Sequence, residues 1–335
     1  MAINARAAVR PEIGGVERVA RELVARLPAL RPGRYRVIEP NPSLTGARGH
    51  AWEQLALPAL ARGSRLILSP ANVAPVASRR NVVMIYDLAP FIGDWYSAVY
   101  ARWHRAVVPR AARRARLVLT ASQVVRRQLS ELLGLDPARV AVVPLGVDER
   151  FAAPGDHERV TRRLGLDRPY VLALGSDLPR KNLALLDRIG PSLAAEGLEV
   201  VLAGSTRSYM PSGDYALRRL GYVDDADLPG LYAGATALSM PSLYEGFGLG
   251  CLEAMAAGTP VVASNRGALP ETCGEAALLV DPEDETGFAD AILRAVEAGP
   301  ERDRLRAAGR ERAREFTWQR AAESVDRRLE PLLAS

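Results

Sequence analysis

Short, continuously apolar runs recur at residues 66–68, 82–85, 117–120 and 140–143, and again at 170–174, 198–203, 237–240, 261–263 and 277–280. Most are rich in β-branched residues, and helical or turn-rich stretches separate them. A strand that is apolar on both sides of its pleat is buried on both faces, and strands spaced by helices join into parallel sheets through crossovers. At 335 residues the chain exceeds what one hydrophobic core usually holds. The pattern therefore predicts two doubly wound α/β domains, with the boundary in the turn-rich stretch 144–155, PLGVDERFAAPG. We set the domains at 1–150 and 151–316, with a last helix over 317–335.

Composition excludes several other classes. Hydrophobic residues make up 48% and charged residues 25%, values of packed globular domains rather than of disordered chains. No apolar run approaches the ~20 residues of a bilayer-spanning helix, and the N-terminus lacks the charged-then-apolar layout of a secretory leader. A cytoplasmic location is expected. Cys251 and Cys273 lack metal-site spacing and His50, His104 and His157 are scattered, so free thiols and no metal site are expected. Charge is divided unevenly: residues 1–150 carry 23 arginines and 11 acids, a balance of +12, while residues 151–335 balance at −7. No helix-turn-helix, RNP or zinc-finger pattern accompanies the arginines, so nucleic acid is not an expected partner. In the stretch 95–116, Tyr96, Tyr100, Trp103 and Val107 fall at helical spacing beside Arg102, Arg105, Arg110, Arg113 and Arg114. That stripe suits either peripheral contact with an anionic membrane at its inner face or packing on the domain's own sheet, with Pro109 interrupting the helix.

The segment between Pro241 and Pro270, PSLYEGFGLGCLEAMAAGTPVVASNRGALP, reads as a glycine loop, a helix over 249–257 ended by Gly258, and a strand from Val261. Free N–H groups at such a helix start attract an anion. Glu245 falls in the loop and Glu253 about one turn into the helix, both expected on exposed faces. Carboxylates there can accept hydrogen bonds from sugar hydroxyls, and they equally suit solvated helix-start positions favoured by the dipole. A second feature is that Lys181 is the only lysine among 44 Lys plus Arg. It sits in the loop GSDLPRKN, residues 175–182, after the apolar run 170–174, where ligands of open α/β sheets bind. A compact ammonium serves there as a point charge on phosphate.

These two loops resemble the donor-binding motifs of the retaining, GT-B-fold glycosyltransferases of family 4, and the likeness runs through most of the chain. The resemblance implies two Rossmann-like domains facing a cleft. Residues 1–150 would form the acceptor side and residues 151–316 the nucleotide-sugar side, with the last helix crossing back to the first domain. It further implies that Glu245 contacts the transferred sugar and Glu253 the ribose. The stretch Gly246, Phe247, Gly248 and Leu249 would meet sugar and pyrophosphate, with Lys181 and Arg180 on the pyrophosphate and Val223, ahead of Asp224 and Asp225, beside the nucleobase.

The chain departs from the family pattern in places. Gly250 and Cys251 stand where proline or another residue is common, and Ser176 stands where many members have arginine. In MIYDLAP, Tyr86 precedes Asp87 where the family often has a histidine-aspartate pair, and a phenol titrating near ~10 cannot take over imidazole chemistry. Asp87 is expected either to orient an acceptor hydroxyl or to cap the turn before Pro90. Gly14 and Gly15 open a helix whose apolar face is Val16, Val19, Leu23 and Leu27. By resemblance they approach the donor phosphate or the acceptor, and a bare glycine pair also suits a tight turn. Ser122 matches a family serine at another strand end. The opening strand is shorter than is usual in relatives, which reads as a truncated start.

The implied reaction moves a sugar from a nucleotide diphosphate to a hydroxyl with retention, in polysaccharide or cell-envelope glycan assembly, with mannosyl transfer included. Glu245, Lys181 and Asp87 form the expected catalytic set. The nucleotide sugar is the co-substrate, no cofactor or metal is expected, and the acceptor is a saccharide or lipid-linked saccharide. Two other classes fit some of the same features, a nucleotide-sugar epimerase and a non-catalytic nucleotide-sugar-binding protein.

Overall fold

Among the described residues every strand pairing is parallel, as the doubly apolar runs require. The computed structural model describes residues 1–153, 155–204 and 215–334. Pro154 of the expected linker and Ser335 of the expected last helix lie outside the described residues. The chain divides into two units, one of Met1–Ile92, Ala101–Gly146 and Trp318–Ser335, the other of Gly93–Tyr100 and Val147–Thr317.

The first unit holds β1 (Ala2–Asn4), β2 (Arg36–Ile38), β3 (Ile67–Ser69), β4 (Asn81–Met84), β5 (Leu117–Thr120) and β6 (Val140–Val142), in the order β2-β1-β3-β4-β5-β6. Its strand order reverses between β1 and β3. Val83, Ile85, Val118, Val125 and Leu129 belong to its core. The second unit holds β7 (Tyr170–Leu174), β8 (Glu199–Ala203), β9 (Arg218–Gly221), β10 (Ala237–Met240), β11 (Val261–Ser264) and β12 (Leu278–Val280), in the order β12-β11-β10-β7-β8-β9. The chain runs outward from β7 to β9 and returns on the other side of β7, so β10 lies beside β7 with Val171 opposite Ala237. Such a reversal opens a crevice at the carboxyl ends of the two strands. Val171, Leu186, Leu202, Val262, Phe288 and Ile292 pack the core around it.

Two strands lie outside the apolar runs, and two local expectations are corrected. Strands β2 and β9, RVI and RRLG, are edge strands with alternating or partial exposure, so neither shows a continuous apolar run. The helix Ala98–Arg114 continues through Pro109, which is itself buried. Packing of Val108, Ala111 and Ala112 against the core outweighs the ladder bond that proline removes. The aromatic stripe is also displaced, because the buried face of this helix is Ala101, His104, Val108, Ala111 and Ala112. Tyr100, Trp103 and Val107 are half-buried, and Arg102, Arg105, Arg110, Arg113 and Arg114 are exposed. Among the described residues no helix is long and apolar enough to cross a membrane.

Within the first unit the helix Trp318–Ala334 packs on the helix Gly15–Leu30. Its buried Asp326 accepts hydrogen bonds from Arg31 Nε at 3.0 Å, Arg34 Nη1 at 3.0 Å and Tyr35 Oη at 2.5 Å. Burial alone would raise this carboxyl, but the bonds from Tyr35, Arg31 and Arg34 and the charge of Arg34 hold it below its ordinary value. Its stabilising effect is therefore present above that ordinary value and is lost as pH falls through the lower, folded value. Replacing Asp326 by alanine leaves the three donors facing a gap and is expected to cost about 3 kcal/mol. Urea unfolding at neutral pH checks this, and a loss under about 0.5 kcal/mol would show that water replaces the carboxylate at no cost.

Candidate active site

In the second unit two loops leave adjacent strands at the β7/β10 reversal. The loop after β7 winds into a tight turn at Pro179–Lys181, then passes through Asn182 at φ 53°, a left-handed conformation that asparagine tolerates. The Asn182 side-chain amide donates to the Pro282 carbonyl at 3.0 Å. The loop after β10 is joined to it by a main-chain bond, Leu243 N–H to the Arg180 carbonyl at 2.7 Å. Gly248, at φ 100°, then opens the helix Leu249–Ala257. A Cβ there would stand 2.6 Å from Leu269 Cδ2, so both conformation and space select glycine. Gly267, at φ 58°, closes over the backbone of Glu245, whose carbonyl oxygen would lie 2.5 Å from an added Cβ.

This frame brings Lys181, Arg180 and Glu245 together. Lys181 Nζ donates to Glu245 Oε1 at 2.6 Å, Ser242 Oγ donates to the same oxygen at 2.9 Å, and Arg180 Nη1 lies 3.1 Å from it. Arg180 also donates to the Tyr244 carbonyl at 3.0 Å and to Tyr96 Oη at 3.3 Å. Burial alone would raise the Glu245 carboxyl, but the Lys181 and Arg180 charges and the bonds from Lys181 and Ser242 outweigh it, holding the group at about 2. Among the described residues the ammonium gives one of its three donors to Glu245.

Both glutamates are buried, contrary to their expected exposure: Glu245 is 9% exposed and Glu253 is 6% exposed. Each is tolerated for a specific reason. Glu245 has two cations, and Glu253 Oε2 accepts from Tyr232 Oη at 2.7 Å. Tyr232 is itself packed edge-on against Phe151. The amphipathic logic that puts a helix-start glutamate in solvent fails because Leu249–Ala257 is enclosed on nearly all sides.

The remaining second-unit residues flank this cluster in sequence. Phe247 is buried edge-on against Phe316, and its carbonyl accepts from Thr272 Oγ1. Gly246 precedes it, and Leu249 begins the helix. Cys251 is fully buried beside Met240, and both cysteines are free thiols. Val223 is buried in the turn after β9, where Asp225 pairs with Arg150 at 2.6 Å. Gly14, Gly15, Tyr86 and Asp87 belong to the first unit. Gly14 is extended and donates its N–H to Glu17 Oε2 at 3.2 Å, while a Cβ on Gly15 would meet nothing within 4 Å. Asp87 Oδ1 accepts from Ala89 N at 3.0 Å, capping the turn Ala89–Ile92. Tyr86 donates to the Pro70 carbonyl at 3.1 Å, and burial pushes its phenol far above the usual range.

Residue reasoning missed Ser242, Tyr232 and the pairing of the buried Asp177 with the exposed Arg219. Ser242 had a signal, since it lies three positions before Glu245 in a turn. Tyr232 had none, because only the return of the chain to β10 brings its helix, Leu228–Gly234, against Glu253.

A model described as glycosyl transferases group 1 matches residues 168–298, and one described as glycosyltransferase family 4 matches residues 55–151. O-antigen chain mannosyltransferase B of Escherichia coli is 30% identical over 267 residues, covering 75% of this chain and 70% of that protein. MMP alpha-(1->4)-mannosyltransferase of Mycolicibacterium hassiacum is 34% identical over 245 residues, covering 68% of this chain. The match spans little more than half of that relative, 57%. Among solved structures, HepE of Anabaena in complex with UDP-glucose superposes with a TM-score of 0.75 at 19% identity, over 98% of this chain and 99% of that one. The last likeness is one of fold.

The ionised Glu245 couples the site to pH. Its carboxyl falls from an ordinary 4.5 to about 2, so its contribution is fully present above the ordinary value and fades as pH falls through the folded one. The size is about 3 kcal/mol. Urea unfolding from roughly pH 6 down to 2 should show wild type losing about that much more stability than Glu245→Gln. Parallel acid limbs in the two proteins would exclude the buried pairing of Glu245 with Lys181.

Proposed function

The chain belongs to glycosyltransferase family 4, and on that premise we propose that it moves a sugar, a mannosyl group in our reading, from a nucleotide diphosphate to an acceptor hydroxyl with retention. The observation that carries this is the Lys181–Glu245–Arg180 cluster at the β7/β10 reversal. In its resting arrangement Lys181 spends charge on a carboxylate. An arriving pyrophosphate offers more negative charge, so Lys181 and Arg180 turn to it, with the amides of Gly246, Phe247, Gly248 and Leu249 as further donors. Glu245, kept ionised by its setting, then accepts hydroxyls of the transferred sugar, and Glu253 those of the ribose. Val223 borders the base. The nucleotide sugar is the co-substrate, and these cations neutralise the departing diphosphate.

For the chemical step, the bond from the anomeric carbon to the phosphate oxygen breaks as the bond to the acceptor oxygen forms on the same face. The acceptor proton passes to the departing phosphate. Tyr86, whose phenol is buried and engaged with Pro70, takes no part in that transfer. Asp87 is the first-unit residue we assign to the acceptor side, and the Gly14–Gly15 turn is assigned to the donor phosphate or the acceptor. The similarity to an O-antigen mannosyltransferase supports a saccharide or lipid-linked saccharide acceptor in envelope glycan assembly. The exposed arginines of Ala98–Arg114 support peripheral contact with an anionic membrane.

Incubation with UDP-, GDP- and dTDP-sugars, with and without saccharide acceptors, should release nucleotide from one donor in an acceptor-dependent way. NMR of the product should show the donor's anomeric configuration, and an inverted product overturns retention. Glu245→Ala and Lys181→Ala should each lose at least ~100-fold in kcat/KM, and near-normal turnover in Glu245→Ala overturns the central assignment. Stabilisation by a donor with no release from any acceptor mixture indicates a binding protein instead. Co-sedimentation with anionic liposomes at low salt, weakened by added salt, checks the membrane contact, and absence of binding at low salt removes it.

A further inference from the structure

The first unit has its own strand-order reversal, between β1 and β3, and a buried arginine stands there. Asn4 ends β1. Its side-chain amide donates to Glu53 Oε1 at 2.6 Å and to Ser69 Oγ of β3 at 3.3 Å, and its Oδ1 accepts from Arg6 N at 3.1 Å. Glu53 is fully buried on a wide π-helical turn, Trp52–Ala56, a distortion found often at ligand sites. Arg6, only 6% exposed, meets Glu53 through Nε at 3.3 Å. Among the described residues nothing accepts a hydrogen bond from its Nη1 or Nη2, and these two nitrogens keep contact with solvent although Nε is enclosed. His50 Nδ1 lies 3.5 Å from the same carboxylate, and the half-buried Trp103 ring packs 4.4 Å from His50.

A pair meant only to neutralise Glu53 would engage the fork of the guanidinium, because single-point pairing repays little of the cost of burying two ions. Here the carboxylate lies 3.3 Å from Nε without hydrogen-bonding to it, and the terminal fork, the part that matches a phosphate, is left unengaged among the described residues. Trp103, half-buried against His50, is an aromatic ring of the kind that packs on a sugar. We propose that Arg6 is an anion-binding residue for the acceptor, which carries a phosphate ester, with Asn4, Glu53 and Ser69 positioning the guanidinium. This rests on the assignment of the first unit to the acceptor.

The test is calorimetric titration of inorganic phosphate into the full chain saturated with UDP, so that the Lys181 loop is already filled. Wild type should retain a phosphate site, and Arg6→Gln should weaken it at least tenfold. Because Arg6→Gln also strands a buried carboxylate, the double variant Arg6→Gln/Glu53→Gln serves as the folding control. It should regain thermal stability lost in the single variant without regaining phosphate. Wild-type phosphate affinity in the double variant, or no phosphate binding to the UDP-saturated wild type, overturns the proposal. If UDP itself fails to bind, the same titration is run with GDP or dTDP, and failure of all three would instead count against the donor assignment. Competition by a hexose 6-phosphate or by a short-chain prenyl phosphate supports the proposal and distinguishes a sugar-borne from a lipid-borne phosphate, and competition by neither overturns it.

Discussion

The ion pair of Lys181 with Glu245 is the contact around which the second unit is arranged. Neither charge is tolerable alone at that depth, since an unpaired buried ion costs several kcal/mol, yet each lies on a loop that only the crossover from β9 to β10 brings beside the other. Arg180 adds a second cation to one carboxylate, so the cluster carries a net positive charge at the ends of two strands. An arrangement of this kind is stable without ligand and still attracts anions. It holds cations ready without leaving them uncompensated.

The first unit is built on a different balance. Its polar residues at strand ends are largely committed: Asp87 to a turn, Tyr86 to Pro70, and Asn4 to Glu53 and Ser69. A phenol so buried has no accessible proton chemistry near neutral pH, which leaves the departing phosphate as the base in the reaction proposed above. The terminal helix is held by a similar economy, one carboxylate serving three donors at Asp326.

How much of this was legible depended on whether the cause was local. Apolar runs announced most of the strands, and the helix Leu249–Ala257 with its Gly258 end was readable to the residue because glycine at a left-handed position is a local requirement. Strands β2 and β9 were hidden because an edge strand needs only partial burial, and arginines supply the rest. Lys181 and Glu245 could each be singled out, one by its uniqueness and the other by its motif, but not their contact across 64 residues of sequence. The burial of Glu253 was invisible for the same reason, since its compensating Tyr232 hydroxyl arrives from another helix. Pro109 misled in the opposite direction: a local rule against proline in helices was overridden by packing on both sides of it.

The main-chain bond from Leu243 to Arg180 has an evolutionary consequence. It is made by an amide and a carbonyl, so nearly any side chain can change at either position and the bond persists, proline at 243 being the exception. The spacing between the two loops is thus inherited with the fold. Selection can then retune which base and sugar are preferred, by exchanging side chains around a frame whose dimensions do not drift.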